Sequence, residues 1–144
     1  MLSEKASLFS TRLAIGSVTL TSTDVNGVTI DTQGFNSLWF TVNVGANGGT
    51  LNGSNKVDFE LQHGDASDLS DAVNVTSVGD TGGYTIDNNG AWATVDAGGE
   101  ASAVYKVAYT GSKRYVRLVA DITGTISLPV SATAILGDGL APQA

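Results

Sequence analysis

Apolar and polar residues alternate with a period of two, in short runs broken by glycine-rich turns, and this pattern constrains the chain more than any other feature. In residues 37–45, SLWFTVNVG, one face carries Leu38, Phe40, Val42 and Val44 and the other Trp39, Thr41 and Asn43, as in a strand buried on one side. Residues 56–62 set Val57, Phe59 and Leu61 against Lys56, Asp58, Glu60 and Gln62. In 101–109 the apolar face is Ala103, Tyr105, Val107 and Tyr109. In 114–122 Val116, Leu118, Ala120 and Ile122 oppose Tyr115, Arg117, Val119 and Asp121, and in 127–136 Leu128, Val130, Ala132, Ala134 and Leu136 face inward. Shorter candidates cover 18–22, 28–32, 72–78, 84–87 and 91–95, about ten strands in all.

One polar face per strand predicts antiparallel pairing, and turn signals at Asn26, Ala46, Asp87 and Asp96 recur at sandwich-like spacing. Eighteen glycines and two prolines fit short strands better than long helices. The expected fold is therefore all-β, an antiparallel, jelly-roll-like β-sandwich over residues 17–137. Residues 1–16 read as an extended N-terminal arm and 138–144 as a tail. Glu4 to Phe9, with Ser3 as N-cap, is the one helical candidate and is too short to be stable alone. Pro129 donates no ladder hydrogen bond, which places the start of the last strand at a sheet edge.

At 144 residues the chain suits one domain. Fourteen acidic residues against seven basic give a net charge of −7, which opposes phosphate binding and argues against a nucleic-acid partner. Absence of cysteine removes disulfides, thiolate chemistry and cysteine-held zinc, and leaves the compartment open. The first eighteen residues lack the layout of a signal peptide. No run approaches the roughly 20 apolar residues of a membrane span, so no membrane partner is expected.

Candidate chemistry is sparse. Asp80, Thr81 and Gly82 spell the DTG of aspartic proteases, whose chemistry needs two aspartates sharing a proton. Here Gly79 precedes Asp80 where an apolar strand residue is normal, and DTGG is an ordinary turn tetrapeptide. His63 and Asp65 lack a nucleophile elbow, so a lone histidine at a turn is the plainer reading. Asp65, Asp68 and Asp71 lack the alternating ligands of a calcium loop and suit a solvated loop whose side chains bond local backbone. Trp39 and Trp92 suit core or interface packing, with sugar stacking as the rival role. No catalytic residue, cofactor or metal is expected.

The basic stretch is the remaining anomaly. Lys106, Lys113, Arg114 and Arg117 are four of the seven basic residues. Arg117 shares the outer strand face with Tyr115, and a Tyr/Arg face is either a cross-strand pairing surface or a protein interface. The segment VYKVAYTGSKRYVRLVADITGTISLPVSATAILGDGLAP, together with GFNSLWFTVNVGA and FELQHGDASDLSDAVNV, resembles small proteins encoded beside the major capsid gene of tailed bacteriophages. The shared pattern maps to Ser37–Phe40, Phe59–Asp71, Tyr109–Arg117, Gly124–Thr125 and Ala132–Pro142, and the Lys-Arg-Tyr-Val-Arg run at 113–117 is its most distinctive part.

This resemblance implies a non-enzymatic capsid decoration, or cement, protein, made in the bacterial host cytoplasm and carried on the outer surface of the virion head. Its implied partners are the major capsid protein and further copies of itself, as a homotrimer. Leu2, Leu8, Phe9 and Arg12 of the arm, with Lys113, Arg114, Tyr115 and Arg117, are then the expected capsid or protomer contacts. Another head or tail component, or a sugar-binding sandwich, is the alternative.

Overall fold

Each apolar strand face demands a partner surface, and the two sheets close on one another to supply it. A computed structural model of the chain describes Glu4 and residues 6–138. Its strands are β1 (Ser10–Leu20), β2 (Val25–Asn26), β3 (Ile30–Asp31), β4 (Ser37–Val44), β5 (Lys56–Gly64), β6 (Val73–Asn74), β7 (Ala91–Val95), β8 (Ala103–Tyr109), β9 (Tyr115–Thr123) and β10 (Leu128–Gly137). One sheet runs β1-β10-β4-β8; in the other, β9 and β5 are central, β2 and β3 share the edge on β9, and β6 and β7 share the edge on β5. All pairings are antiparallel. The protein is thus an all-β sandwich, as its alternation requires.

The core consists of the residues that the period-two pattern turned inward. Phe40, Val42, Val57, Phe59, Leu61, Trp92, Leu118, Leu128 and Leu136 are fully buried. Each large side chain among them contributes about 1.5–3 kcal/mol relative to an exposed position. Phe59 packs between Trp92 and Tyr105, with ring centroids 6.0 and 6.5 Å away.

Four local expectations need correction. Residues 10–16 are not part of an arm: they begin β1, where Ala14 and Ile15 are buried and Ser10 pairs with Leu136. β1 follows β10 through two register irregularities, between Leu13 and Ile15 and between Ile15 and Val18, which bend the strand around the core. The helical candidate shortens to a 3-10 turn at Ala6–Leu8, preceded by Glu4, whose carboxylate accepts from the Ser7 N–H at 3.0 Å. Residues 84–87 form no strand, because Gly82 and Gly83, at φ +73° and +111°, turn the chain out of line. Ser3 and the tail beyond Asp138 lie outside the described residues.

Pro129 is not at an edge, since β10 lies between β1 and β4. Its carbonyl accepts from the Gly45 N–H at 2.7 Å, while the Gly45 carbonyl, which a non-proline residue at 129 would engage, accepts from Ser102 N–H at 2.9 Å. A missing donor is tolerated in a central strand because its acceptor has another partner.

The sandwich closes along one side through Gly27. Its N–H donates to the Leu118 carbonyl of β9 at 2.7 Å, and the next N–H, of Val28, donates to the Ala14 carbonyl of β1 at 2.8 Å. One dipeptide thereby ties an edge of each sheet to the other.

Candidate interaction surfaces

The basic stretch folds into a set of intramolecular clamps. Lys113 Nζ lies 2.7 Å from the Asp65 carboxylate. Arg114 reaches from the entrance of β9 to Asp31 on β3, donating from Nε and Nη2 to the two carboxylate oxygens at 2.9 Å each, and Nη2 also donates to Gln33 Oε1. Its guanidinium sits 5.0 Å above the Tyr115 ring centroid. This bidentate bond holds the Asp31 carboxyl down at about 2. Arg117 meets its cross-strand neighbour Gln62, a neutral partner, with Nε and Nη2 donating to Oε1 at 2.8 and 2.6 Å. Lys106 pairs with Asp80 at 2.9 Å.

Behind the clamps, Tyr109 Oη accepts from the Lys113 backbone N–H at 3.0 Å and lies 2.8 Å from His63 Nδ1, the two rings edge to face. Burial, then the Lys113 charge, lowers the His63 pKa and so favours the neutral imidazole, which shares one hydrogen bond with the phenol. The acidic loop behaves as a backbone-bonding loop. Asp71 accepts from the N–H groups of Asp65 and Ala66 at 2.8 and 3.2 Å, and Asp68 from that of Ser70 at 3.0 Å. Asp80 stands on an exposed turn, its carboxyl held below the usual range by Lys106 and the Gly82 N–H. Among the described residues no group of three or more His, Asp or Glu side chains is arranged to hold a metal ion.

The expected contact residues divide between two places. Lys113, Arg114, Tyr115 and Arg117 sit at the clamped end. Arg12 joins them, donating to the Asp31 carbonyl at 3.3 Å with its guanidinium 5.7 Å from the Phe35 ring centroid. Leu8 and Phe9 instead stand out from the body, 54% and 39% exposed. Phe9 lies across Gly137, where a Cβ would come within 2.8 Å of its ring. Leu2 lies outside the described residues. Trp92 is in the core, whereas Trp39 borders an open groove of about 600 Å³ with Lys106, Ala108, Asp80 and Tyr109.

The two outer sheet faces differ sharply in charge, a contrast the strand-by-strand reading of the sequence overlooked. On the β5–β9 sheet, Asp58 is directly opposite Asp121, and Glu60 is only 7% exposed, its Oε2 accepting from Asn74 at 3.1 Å. Lys56 and Thr94 both engage Asp58. On the other sheet, none of the fourteen acidic residues lies in any of the four strands, and Arg12 and Lys106 are their only charges.

Burial, then the Asp121 charge, raises the Glu60 carboxyl pKa, and burial, then Asp24, raises that of Asp121. A carboxyl raised on folding binds more protons in the native than in the unfolded state above its ordinary value, so native stability grows as pH falls through the raised pKa. Glu60 and Asp121 therefore favour the fold as pH falls from neutral toward mildly acidic values, opposed by His63, whose pKa is lowered from 6.5 so that the unfolded chain binds more protons there. Stability falls below the ordinary carboxylate range, where Asp31, Asp71 and Asp80, whose pKa values are lowered, take up protons. Glu60→Gln is expected to raise the neutral-pH melting temperature by a few degrees, with the gain vanishing in acid. Melting curves of both proteins across pH 4–8 check this.

No protein-family model matches the chain, and no curated protein is significantly similar to it. Among solved structures it is similar to the SPBc2 prophage-derived protein YomS, with a TM-score of 0.45 and 10% identity over 89% of this chain and 91% of that one.

Proposed function

We propose that this chain is a structural virion protein that decorates the outer surface of a tailed-phage head, contacting the major capsid protein and acting by binding alone. The sequence pattern at Tyr109–Arg117 supports the reading, and its residues form one interlocked unit. Tyr109 is bonded to Lys113, Lys113 to Asp65, Arg114 to Asp31 and Arg117 to Gln62. The carrying observation is the pair Leu8 and Phe9, large apolar side chains left exposed just before β1, with Phe9 against Gly137 at the end of β10. A protein of this kind stabilises a shell by mass action, adding contacts that the assembled shell alone offers. Apolar anchors on a stiff body lose little conformational entropy on docking.

Co-sedimentation with undecorated heads of the parent phage tests the reading. Saturable binding is expected, weakened by about tenfold or more in Leu8→Asp/Phe9→Asp, in keeping with a hot-spot loss of roughly 2 kcal/mol. That variant should remain folded with a cooperative melt, lowered only by the loss of Phe9's packing on Gly137. No binding by the wild type to intact mature heads overturns the function; equal binding by both proteins overturns the assignment to Leu8 and Phe9.

A further inference from the structure

We infer that the outer face of the β1-β10-β4-β8 sheet is a self-association surface on which a second copy of this chain packs face to face. The inference goes beyond the decoration reading and does not depend on it. Register places Ile135, Trp39 and Ala108 in one row across β10, β4 and β8, and Thr133, Thr41 and Lys106 in the next. Leu13 and Val104 flank these rows, 59% and 67% exposed. The face is flat, β-branched and aromatic, and its single charge, Lys106, is already held by Asp80 at 2.9 Å. Such depletion of charge around an aromatic side chain characterises the centre of a protein interface.

Charge selects the occupant. Each copy carries −7, so two copies repel through most of their surfaces. A face whose strands carry no carboxylate, and whose bordering Asp80 is paired with Lys106, lets like molecules approach more closely than the rest of the surface does. Stacking this face on the β5–β9 sheet of another copy would bury Asp121 beside Asp58 with Lys56 as the counter-charge of the pair, and would close off the remaining exposure of Glu60, at a cost of several kcal/mol. Face-to-face packing on a two-fold axis avoids that, with sheets about 10 Å apart. Area is adequate: four strands about 4.8 Å apart and about 26 Å long give roughly 500 Å² per copy, near the total of about 1,000 Å² that a specific interface needs. In this packing Thr41 and Thr133, directly opposite one another on β4 and β10, lie at the centre and meet the same residues of the second copy.

Sedimentation equilibrium of the purified chain tests the inference. The wild type is expected to dimerise, and Thr41→Glu/Thr133→Glu to be folded and monomeric, with dimerisation at least tenfold weaker and a melting curve that is still cooperative but lowered, since the two glutamates face one another across β4 and β10 and the dimer's stabilisation is lost. Thr41→Lys/Thr133→Lys should be monomeric too, and an equimolar mixture of the two variants should form a heterodimer. Thr123→Glu, on the other sheet, should leave the dimer intact. A wild type that stays monomeric to about 0.1 mM, a concentration at which contacts of even modest affinity are populated, overturns the proposal. So does a trimer or dimer that survives the glutamate pair, or a mixture of folded variants that fails to associate.

Discussion

Truncating Trp92 to alanine is expected to cost about 3–5 kcal/mol, a large part of the 5–15 kcal/mol by which a domain of this size is stable. Trp92 is fully buried, contributed by β7 and packed on Phe59 at the centre of the sandwich. The cavity would open between the sheets, where neighbouring side chains anchored in paired strands have little freedom to collapse into it. Trp92→Phe gives the sharper comparison. The indole Nε1 is buried with no hydrogen-bond partner among the described residues, and an orphan donor costs roughly 1–3 kcal/mol. Phenylalanine loses bulk but also removes that donor, so it is expected to cost less than half as much as alanine. Urea denaturation of the three proteins measures both differences. Equal losses for phenylalanine and alanine would show that Nε1 is bonded in solution and that the hydrogen bond, rather than the bulk, holds the site.

Gly27→Ala is expected to destabilise the fold by roughly 1–3 kcal/mol or more, although it adds a single methyl group. A Cβ at Gly27 would lie 2.5 Å from the Ala14 carbonyl oxygen and 2.7 Å from that of Leu118. Both obstacles are backbone, one in each sheet, so relief requires the sheets to separate along the edge that Gly27 and Val28 close. Amide exchange should accelerate first at Gly27 and Val28, whose N–H groups make the two closing bonds. Gly53→Ala is the matched control, because nothing lies within 4 Å of a Cβ there. Restriction of the unfolded chain makes Gly→Ala stabilising by about 0.4–1 kcal/mol where there is room, so Gly53→Ala is expected to be neutral or stabilising, and similar losses at both positions would mean that the close approach does not set the cost at Gly27.

Period-two alternation made β4, β5, β8, β9 and β10 legible, together with the faces they bury, but not most of β1, the longest strand, where two register irregularities break the period. Leu38, Phe40, Val42 and Val44 are all buried, as are Val57, Phe59 and Leu61. The same reasoning missed Val25–Asn26 and overran the two-residue strands Ile30–Asp31 and Val73–Asn74 inside the 28–32 and 72–78 candidates, because their extent is set by the open edges of β9 and β5 and so short a run carries no periodicity. It failed at Pro129 as well, since the hydrogen bond between Ser102 and Gly45 that makes a central proline tolerable joins residues remote in sequence.

The candidate surfaces divide along the same line. The cluster of Lys106, Lys113, Arg114 and Arg117 is visible in the sequence, but their partners Asp80, Asp65, Asp31 and Gln62 are distant along the chain. Sequence proximity of like charges left open a cross-strand pairing surface or a protein interface; the fold engages all four in intramolecular bonds. Confinement of every acidic residue to the loops and the other sheet can be counted from the sequence only once β1, β10, β4 and β8 are known to be neighbours.

By itself, then, the sequence determined that the chain is all-β, which residues its long strands bury, and that its field is acidic, because alternation and composition are local properties of the chain. Only the tertiary structure decided which strands adjoin, which charges are neutralised and which sheet has no acidic residue in its strands. Those depend on pairings between distant segments, and a hydrogen bond or ion pair is fixed by distance in space, which the order of residues does not record.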